Sequence, residues 1–185
     1  NIGTHTLGVS RLLGRKVTVR AFEAQRNIYY MLCVNIALNN LRSVYCHHLA
    51  VSDRPGEMIR FRTPDYNAPN NLGGLELMPP VNSDNQGMVH GGEEAVSTVT
   101  IDAFGEAVDF LKIDIEGMED RALRGAERTI AEHRPMVFLE IAKTDRDFVT
   151  GFFKSRNYAG FATSQDAVFL PREMDVAPDG MQKLF

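Results

Sequence analysis

The stretch Asp109–Glu119, reading DFLKIDIEGME, constrains the fold more than any other part of the chain. Its short, mostly apolar run from Phe110 to Ile113 is the pattern of a strand covered on both faces. The run passes into carboxylates and a glycine, and then into an amphipathic helical pattern. In an open parallel sheet, ligands gather just beyond the carboxyl ends of the strands. Asp114 and Glu116 therefore arrive where chemistry is usually done. Lys112, Asp114 and Glu116 share one parity and leave the strand on the same side until the turn breaks the alternation. Such a polar stripe is costly unless its members find partners. The same carboxylates also suit a structural role, bonding loop amides and capping the next helix.

Read from its first residue, Asn1-Ile2-Gly3-Thr4-His5-Thr6-Leu7-Gly8 is a turn entering a helix, with Leu7, Leu12 and Leu13 apolar and Gly14 as its stop. A glycine-bearing turn of this kind normally follows a strand, and the sequence gives none before it. Lys16 to Phe22 alternates as a strand ending at Glu23. Glu23 stands twenty residues after Gly3. At that spacing an acidic residue on a second strand accepts from ribose hydroxyls, while the glycine turn lets backbone approach the ligand. A plain surface glutamate at a strand end looks the same. Arg26 to Asn39 reads as a helix with Ile28, Met31, Leu32 and Ile36 at helical spacing, and Asn35 on that face suits tying down a loop. Val44 to Val51 reads as a third strand, closed by Ser52-Asp53-Arg54-Pro55-Gly56, so that Ala50 to Ser52 would line an adenine pocket. His47 and His48 point to opposite faces of it and cannot share a metal.

Met58 to Arg62 looks like a short edge strand. Thr63 to Glu93 follows as a long irregular stretch with four prolines and the pairs Gly73-Gly74 and Gly91-Gly92. A loop of this length in a compact domain is expected to be a functional lid or disordered. Tyr66, Leu72, Leu75, Leu77 and Met78 are too apolar for a linker, which favours the lid. His90 is a candidate base on it, although a lone loop histidine is more often not one. Val96 to Ile101 reads as a strand. Gly117 to Glu132 reads as one helix with the stripe Met118, Ala122, Leu123, Ala126 and Ile130, acidic at its start and basic after it, as the helix dipole prefers. His133-Arg134-Pro135 stops it. Met136 to Ile141 is the next strand and carries Glu140 near its end. A helix from Asp145 to Arg156 and a hairpin of Tyr158–Ala162 with Ala167–Leu170 close the chain. Alternating strands and helices with right-handed crossovers give a doubly wound α/β sheet, helices on both faces.

With 185 residues, 44 % of them hydrophobic, the chain is long enough for one domain over 1–185, with 63–93 as a lid-like insertion. No apolar run reaches membrane-spanning length, and the first residues are not a signal peptide. Cys33 and Cys46, lacking CxxC spacing, suit buried thiols in a reducing, cytoplasmic setting. The net charge of −4 argues against nucleic acid. It hides an asymmetry, with nine Lys/Arg against three Asp/Glu in residues 1–62 and eleven against twenty-one in 63–185. The basic residues are scattered rather than run together, so they read as complementary charge within one fold and not as a phosphate-binding face.

Four stretches together resemble a known family. Asn1-Ile2-Gly3-Thr4-His5-Thr6 looks like the second half of a glycine-rich motif, D-x-G-A-N-x-G-x-x-T. Phe22-Glu23-Ala24-Gln25 looks like an acidic second-strand motif, F-E-P-x, with Ala24 in place of the proline. Ala50-Val51-Ser52-Asp53 is similar to the turn after the third strand. Leu111 to Glu119, with Leu123-Arg124-Gly125-Ala126 and Arg134-Pro135, resembles the signature K-I-D-x-E-G-x-E…L-x-G-A…R-P. These are marks of the FkbM-type S-adenosylmethionine-dependent methyltransferases, and the resemblance spans residues 1–142. The first half of the glycine motif and the strand before it are absent, so the family's central strand is expected to be missing.

The resemblance implies a class I methyltransferase sheet, Rossmann-like and mostly parallel, ending in an antiparallel hairpin. It implies S-adenosylmethionine as cofactor, bound by Asn1, Gly3, Thr4, His5, Glu23, Ala24, Val51, Ser52 and Asp114. Asp114, Glu116 and Glu140 become the catalytic candidates. The implied partner is a small-molecule hydroxyl acceptor such as a sugar or polyketide, with neither nucleic acid nor membrane involved, and the oligomeric state stays open. No metal ligand is assigned, although three carboxylates leave room for a divalent cation, magnesium or calcium rather than zinc. Two rival readings remain: a nucleotide- or NAD-binding Rossmann enzyme, and a methyltransferase-like module without catalysis. The first would share Glu23 and the turn but calls for a fuller glycine fingerprint and a Tyr-Lys pair, which the sequence does not offer.

Overall fold

The structure is a computed structural model that describes residues 1–14, 17–78 and 88–185. Lys16, expected to open a strand, and residues 79–87 of the long loop, with Pro79 and Pro80, lie outside the described residues. The chain is an α/β fold with mixed sheets. It divides into two compact units, Asn1–Ala50 with Gly56–Thr98, and Val51–Pro55 with Val99–Phe185.

The first unit begins with α1 (Thr4–Leu13), β1 (Val19–Phe22), α2 (Arg26–Leu38) and β2 (Val44–His47). β1 and β2 pair in parallel, from Val19 with Val44 to Phe22 with His47. On α2, Ile28, Leu32 and Ile36 are buried, an i, i+4, i+8 stripe, whereas Met31, expected on that face, is 46 % exposed. Asn35 does tie a loop, its Nδ2 donating to the Ile2 carbonyl at 2.9 Å. The expected third strand is two pieces, because the chain changes sheets. β2 ends at His47, and β3 (Ala50–Val51) pairs instead with β5 (His90–Val99). Between them, His48 stacks on Tyr29 at 5.2 Å and contacts the Ala24 carbonyl through Nε2 at 3.0 Å.

On the other side of β5 lies β4 (Met58–Pro64), antiparallel to it. β4 buries Ile59, Phe61 and Thr63 and exposes Met58, Arg60 and Arg62, a strict two-residue alternation. Both strands run further than expected, so Arg62 is not an end and the irregular stretch stops at His90. Gly91 and Gly92, read as loop signals, lie within β5, Gly92 opposite Thr63 and Gly91 as the extra residue at a break in register. A Cβ at Gly91 would sit 3.0 Å from the Asp65 Cα, so the glycine lets the end of β4 approach.

The second unit carries β6 (Phe110–Ile113), α3 (Glu119–Arg124), α4 (Glu127–His133), β7 (Met136–Glu140), α5 (Arg146–Lys154), β8 (Tyr158–Ala162), β9 (Asp166–Pro171) and β10 (Gln182–Lys183). Its sheet runs β10-β8-β9-β7-β6, with β6 and β7 parallel and the other pairs antiparallel. The closing hairpin is therefore where the sequence puts it. Among the described residues the strands form three separate ladders, not one continuous sheet, and β6 ends its ladder.

Val137, Leu139, Phe153, Tyr158 and Phe169 are fully buried at the centre, with Phe153 stacked on Phe169 at 3.9 Å between ring centroids. Asp145 caps α5, accepting from the N–H groups of Asp147 and Phe148. The helix expected from Gly117 to Glu132 is interrupted at Gly125-Ala126. A Cβ on Gly125 would collide with the Ser52 carbonyl, and Asp102 caps a new start by accepting from the Arg128 and Thr129 N–H groups at 3.0 and 2.8 Å. Among the described residues no helix is long and apolar enough to cross a membrane.

Candidate functional site

In the first unit, the glycine turn and the acidic strand end come together. Gly3 adopts φ 101°, and a Cβ there would lie 2.8 Å from Leu32 Cδ1, so only glycine suits both the backbone and the space. α1 starts directly after it with no side-chain cap. Thr4 and His5 form its exposed first turn. Glu23 follows β1 and is 8 % exposed. Its Oε1 accepts the Gln25 N–H at 2.8 Å, and its Oε2 pairs with the amino group of Asn1. A carboxylate fixed at the end of a strand by the backbone that follows it is the kind of group that accepts from a ribose diol. The bare turn at Gly3 and the seated Glu23 thus fit an adenosine-bearing cofactor. Ala24 offers only its carbonyl, already engaged by His48.

Two hollows open on this unit. The larger, about 490 Å³, is lined by Tyr29, Cys33, Ile36, Tyr45 and Cys46 and holds none of the expected site residues. Burial pushes the Cys46 thiol up to about 11, with the adjacent Cys33 adding to it, so the Cys46 thiol is a poor nucleophile. The smaller, about 290 Å³, is polar, with Arg26, Asn27, Thr63, Tyr66 and Glu94 in its wall. His90 is not in that wall, and its Nδ1 is buried without a hydrogen-bond partner.

Val51 and Ser52 belong to the second unit. Val51 packs on its core, and Ser52 is fully buried with its hydroxyl donating to Asp53 Oδ1 at 3.0 Å. In the same unit the ends of β6 and β7 bring three carboxylates together. Oxygens of Asp114, Glu116 and Glu140 all lie within 4.8 Å of one another. The turn that carries Asp114 and Glu116 is strained at Glu116, whose φ is 54°, and the following Gly117 takes φ 93° freely. Glu119, 1 % exposed, holds that turn by accepting from the Ile115 and Gly117 N–H groups, each at 2.9 Å. The structural role foreseen for these carboxylates thus falls to Glu119, leaving Asp114 exposed and Glu116 half-buried.

Like charges at this distance need compensation. Lys112 Nζ donates to Asp114 Oδ2 at 2.6 Å, on the shared side that strand parity predicts. Lys143 Nζ donates to Glu116 Oε2 at 2.6 Å. Lys143 was not foreseen, since it lies in an irregular segment three residues past Glu140. Glu140 keeps Oε2 buried and without a hydrogen-bond partner. Burial first, then the charges of Glu116, Asp114 and Glu119, push its carboxyl up to about 7, against the pull of Lys143. A carboxylate poised near neutral pH, with one oxygen open, can take a proton from a hydroxyl. Three hard oxygens also form a set that magnesium or calcium accepts. Here the two ammonium groups already supply the positive charge that such an ion would bring.

Residues 1–166 match the model of the family described as Methyltransferase FkbM domain. A crystal structure of a methyltransferase FkbM from Methylobacillus flagellatus KT is similar in fold, with TM-score 0.63 and 21 % identity, over 91 % of this chain and 40 % of that one. The chain thus spans about two fifths of that neighbour's length. No curated protein matches it.

Proposed function

This chain belongs to the FkbM methyltransferase family, and we propose that it methylates a hydroxyl of a small molecule, such as a sugar or polyketide, from S-adenosylmethionine. The observation that carries the reading is Glu140: its Oε2 is buried, open and grouped with two carboxylates that lysines hold in place. Bound S-adenosylmethionine supplies a methyl group on a cationic sulfonium, open to in-line displacement. Glu23 and the Gly3 turn would hold the ribose of the cofactor, with Asn1, Thr4 and His5 of the same unit as further binding positions. Glu140 Oε2 would take the proton of the acceptor hydroxyl as the hydroxyl oxygen accepts the methyl group that bound S-adenosylmethionine would supply. Asp114 and Glu116, each paired with a lysine, help to raise the Glu140 carboxyl toward neutral pH, where it can act as a base. The described part of the segment between β4 and β5, residues 65–78, serves as a lid that selects the acceptor.

Calorimetric titration tests the first half. S-adenosylmethionine binds, NAD does not, and Glu23→Ala weakens binding by about 10- to 100-fold, the loss of one or two charge-assisted hydrogen bonds. Turnover tests the second half. Glu140→Gln lowers kcat by about 10²- to 10⁴-fold, and the wild-type rate rises with pH to a plateau above about 7. Binding of NAD alone, or a Glu140→Gln variant with unchanged kcat, overturns the reading.

A further inference from the structure

Gln25 stands two residues past Glu23 and is 5 % exposed. A buried primary amide must place both its ends. Its Nε2 donates to the Leu72 carbonyl at 2.8 Å, and its Oε1 accepts from the Tyr66 hydroxyl at 3.4 Å, a long contact. Both partners lie in the lid stretch, 41 and 47 residues further along the chain. Its own backbone N–H meanwhile donates to Glu23 Oε1. One residue thus touches the ribose-binding carboxylate with its main chain and the lid with its side chain. Tyr66 in turn is part of the wall of the polar hollow beside Arg26 and Glu94, which pair at 3.1 Å. Burial first, and then Glu94, raise the Tyr66 phenol, so it remains a donor at neutral pH.

We propose that Gln25 is a positioning residue that couples occupancy of Glu23 by the cofactor to the closed placement of the lid residues Tyr66 to Leu75. The inference rests on the reading of Glu23 given above. A cofactor that fixes the Glu23 carboxylate fixes the Gln25 backbone it accepts from, and with it the anchor of both lid contacts. By linkage, closure of the lid then tightens the cofactor by the same factor as the cofactor tightens the lid.

Hydrogen exchange across residues 66–75, with and without S-adenosylmethionine, reads the coupling directly, and calorimetry measures affinity in parallel on the same full chain. Gln25→Met keeps the side-chain volume and the N–H to Glu23 while deleting both lid contacts. Tyr66→Phe deletes one of them and leaves Gln25 intact. In the wild type the cofactor slows exchange of these amides by about tenfold, within the usual range of intramolecular coupling. In Gln25→Met that slowing falls below about twofold, Tyr66→Phe lies between, and affinity drops by no more than the protection lost. A residue that merely supports the fold would change exchange equally with and without cofactor. Cofactor-dependent slowing that survives Gln25→Met, or an affinity loss larger than the protection loss, overturns the coupling while leaving cofactor binding standing. Should Gln25→Met not fold, a Tyr66→Phe variant with wild-type slowing overturns it equally. Absence of any wild-type heat with S-adenosylmethionine instead removes the reading of Glu23, and this inference with it.

Discussion

Glu140 binds its proton more tightly in the folded chain than in the unfolded one, about 7 against 4.5. Between those values the native state holds more protons than the denatured state, so stability declines as pH rises through that window and levels off above it. Glu140→Gln removes the dependence. The variant is expected to match wild type near pH 4 and to exceed it by roughly 1 kcal/mol at pH 8, allowing for solvent screening. Urea denaturation at the two pH values measures both, and a wild type that gains stability from pH 5 to 8 through this residue contradicts the assignment. Glu119 behaves oppositely to substitution. Each of its oxygens accepts a backbone N–H, and Glu119→Gln turns an NH₂ toward one of those donors. A cost of about 1–3 kcal/mol follows, read in the same denaturation experiment.

At the scale of elements, α4 owes its start to Asp102, which serves the Thr129 hydroxyl at 2.7 Å besides the two N–H groups. Asp102→Ala is expected to cost about 1–2 kcal/mol, as loss of an N-cap does, with a lowered urea midpoint and an unchanged slope. This cap also marks a limit of sequence reading. The stripe Met118, Ala122, Leu123, Ala126, Ile130 runs through the break without interruption, because two short helices in line keep nearly the same periodicity. Only the close approach of Gly125 to Ser52, distant in sequence, reveals the interruption. β5 escaped for a similar reason: Gly91 and Gly92 are turn formers by local propensity, and a tertiary need for closeness to Asp65 overrides it. Strands and capped helices such as β6, β7 and α5 were legible because their signals are local, but the expected cover on both faces of β6 fails, since β6 ends its ladder and Phe110 is 44 % exposed. The residues of the carboxylate cluster were legible too, since each ends or follows a strand. Lys143 was not, because what recruits it is the charge of Glu116, a neighbour only in space.

For the whole molecule, the proposed function draws on two features that can be tested separately, the buried Glu23 in one unit and the Asp114, Glu116 and Glu140 cluster in the other. Cofactor that binds only the native state adds stability by mass action, about 2.7 kcal/mol at 100 times its Kd. Thermal unfolding with S-adenosylmethionine is therefore expected to shift Tm upward in wild type and much less in Glu23→Ala. Lys112 and Lys143 already neutralise Asp114 and Glu116, so chelation by EDTA is expected to leave turnover within about twofold, unlike an enzyme that uses a metal as its Lewis acid.

Gln25 meets Glu23 through an amide hydrogen that no coded side-chain replacement deletes, proline excepted. Alanine scanning would therefore score this position on its outward half alone. Exchanging the peptide nitrogen at residue 25 for an ester oxygen, by acylating a suppressor tRNA with the hydroxy acid, erases the inward half and spares the outward one.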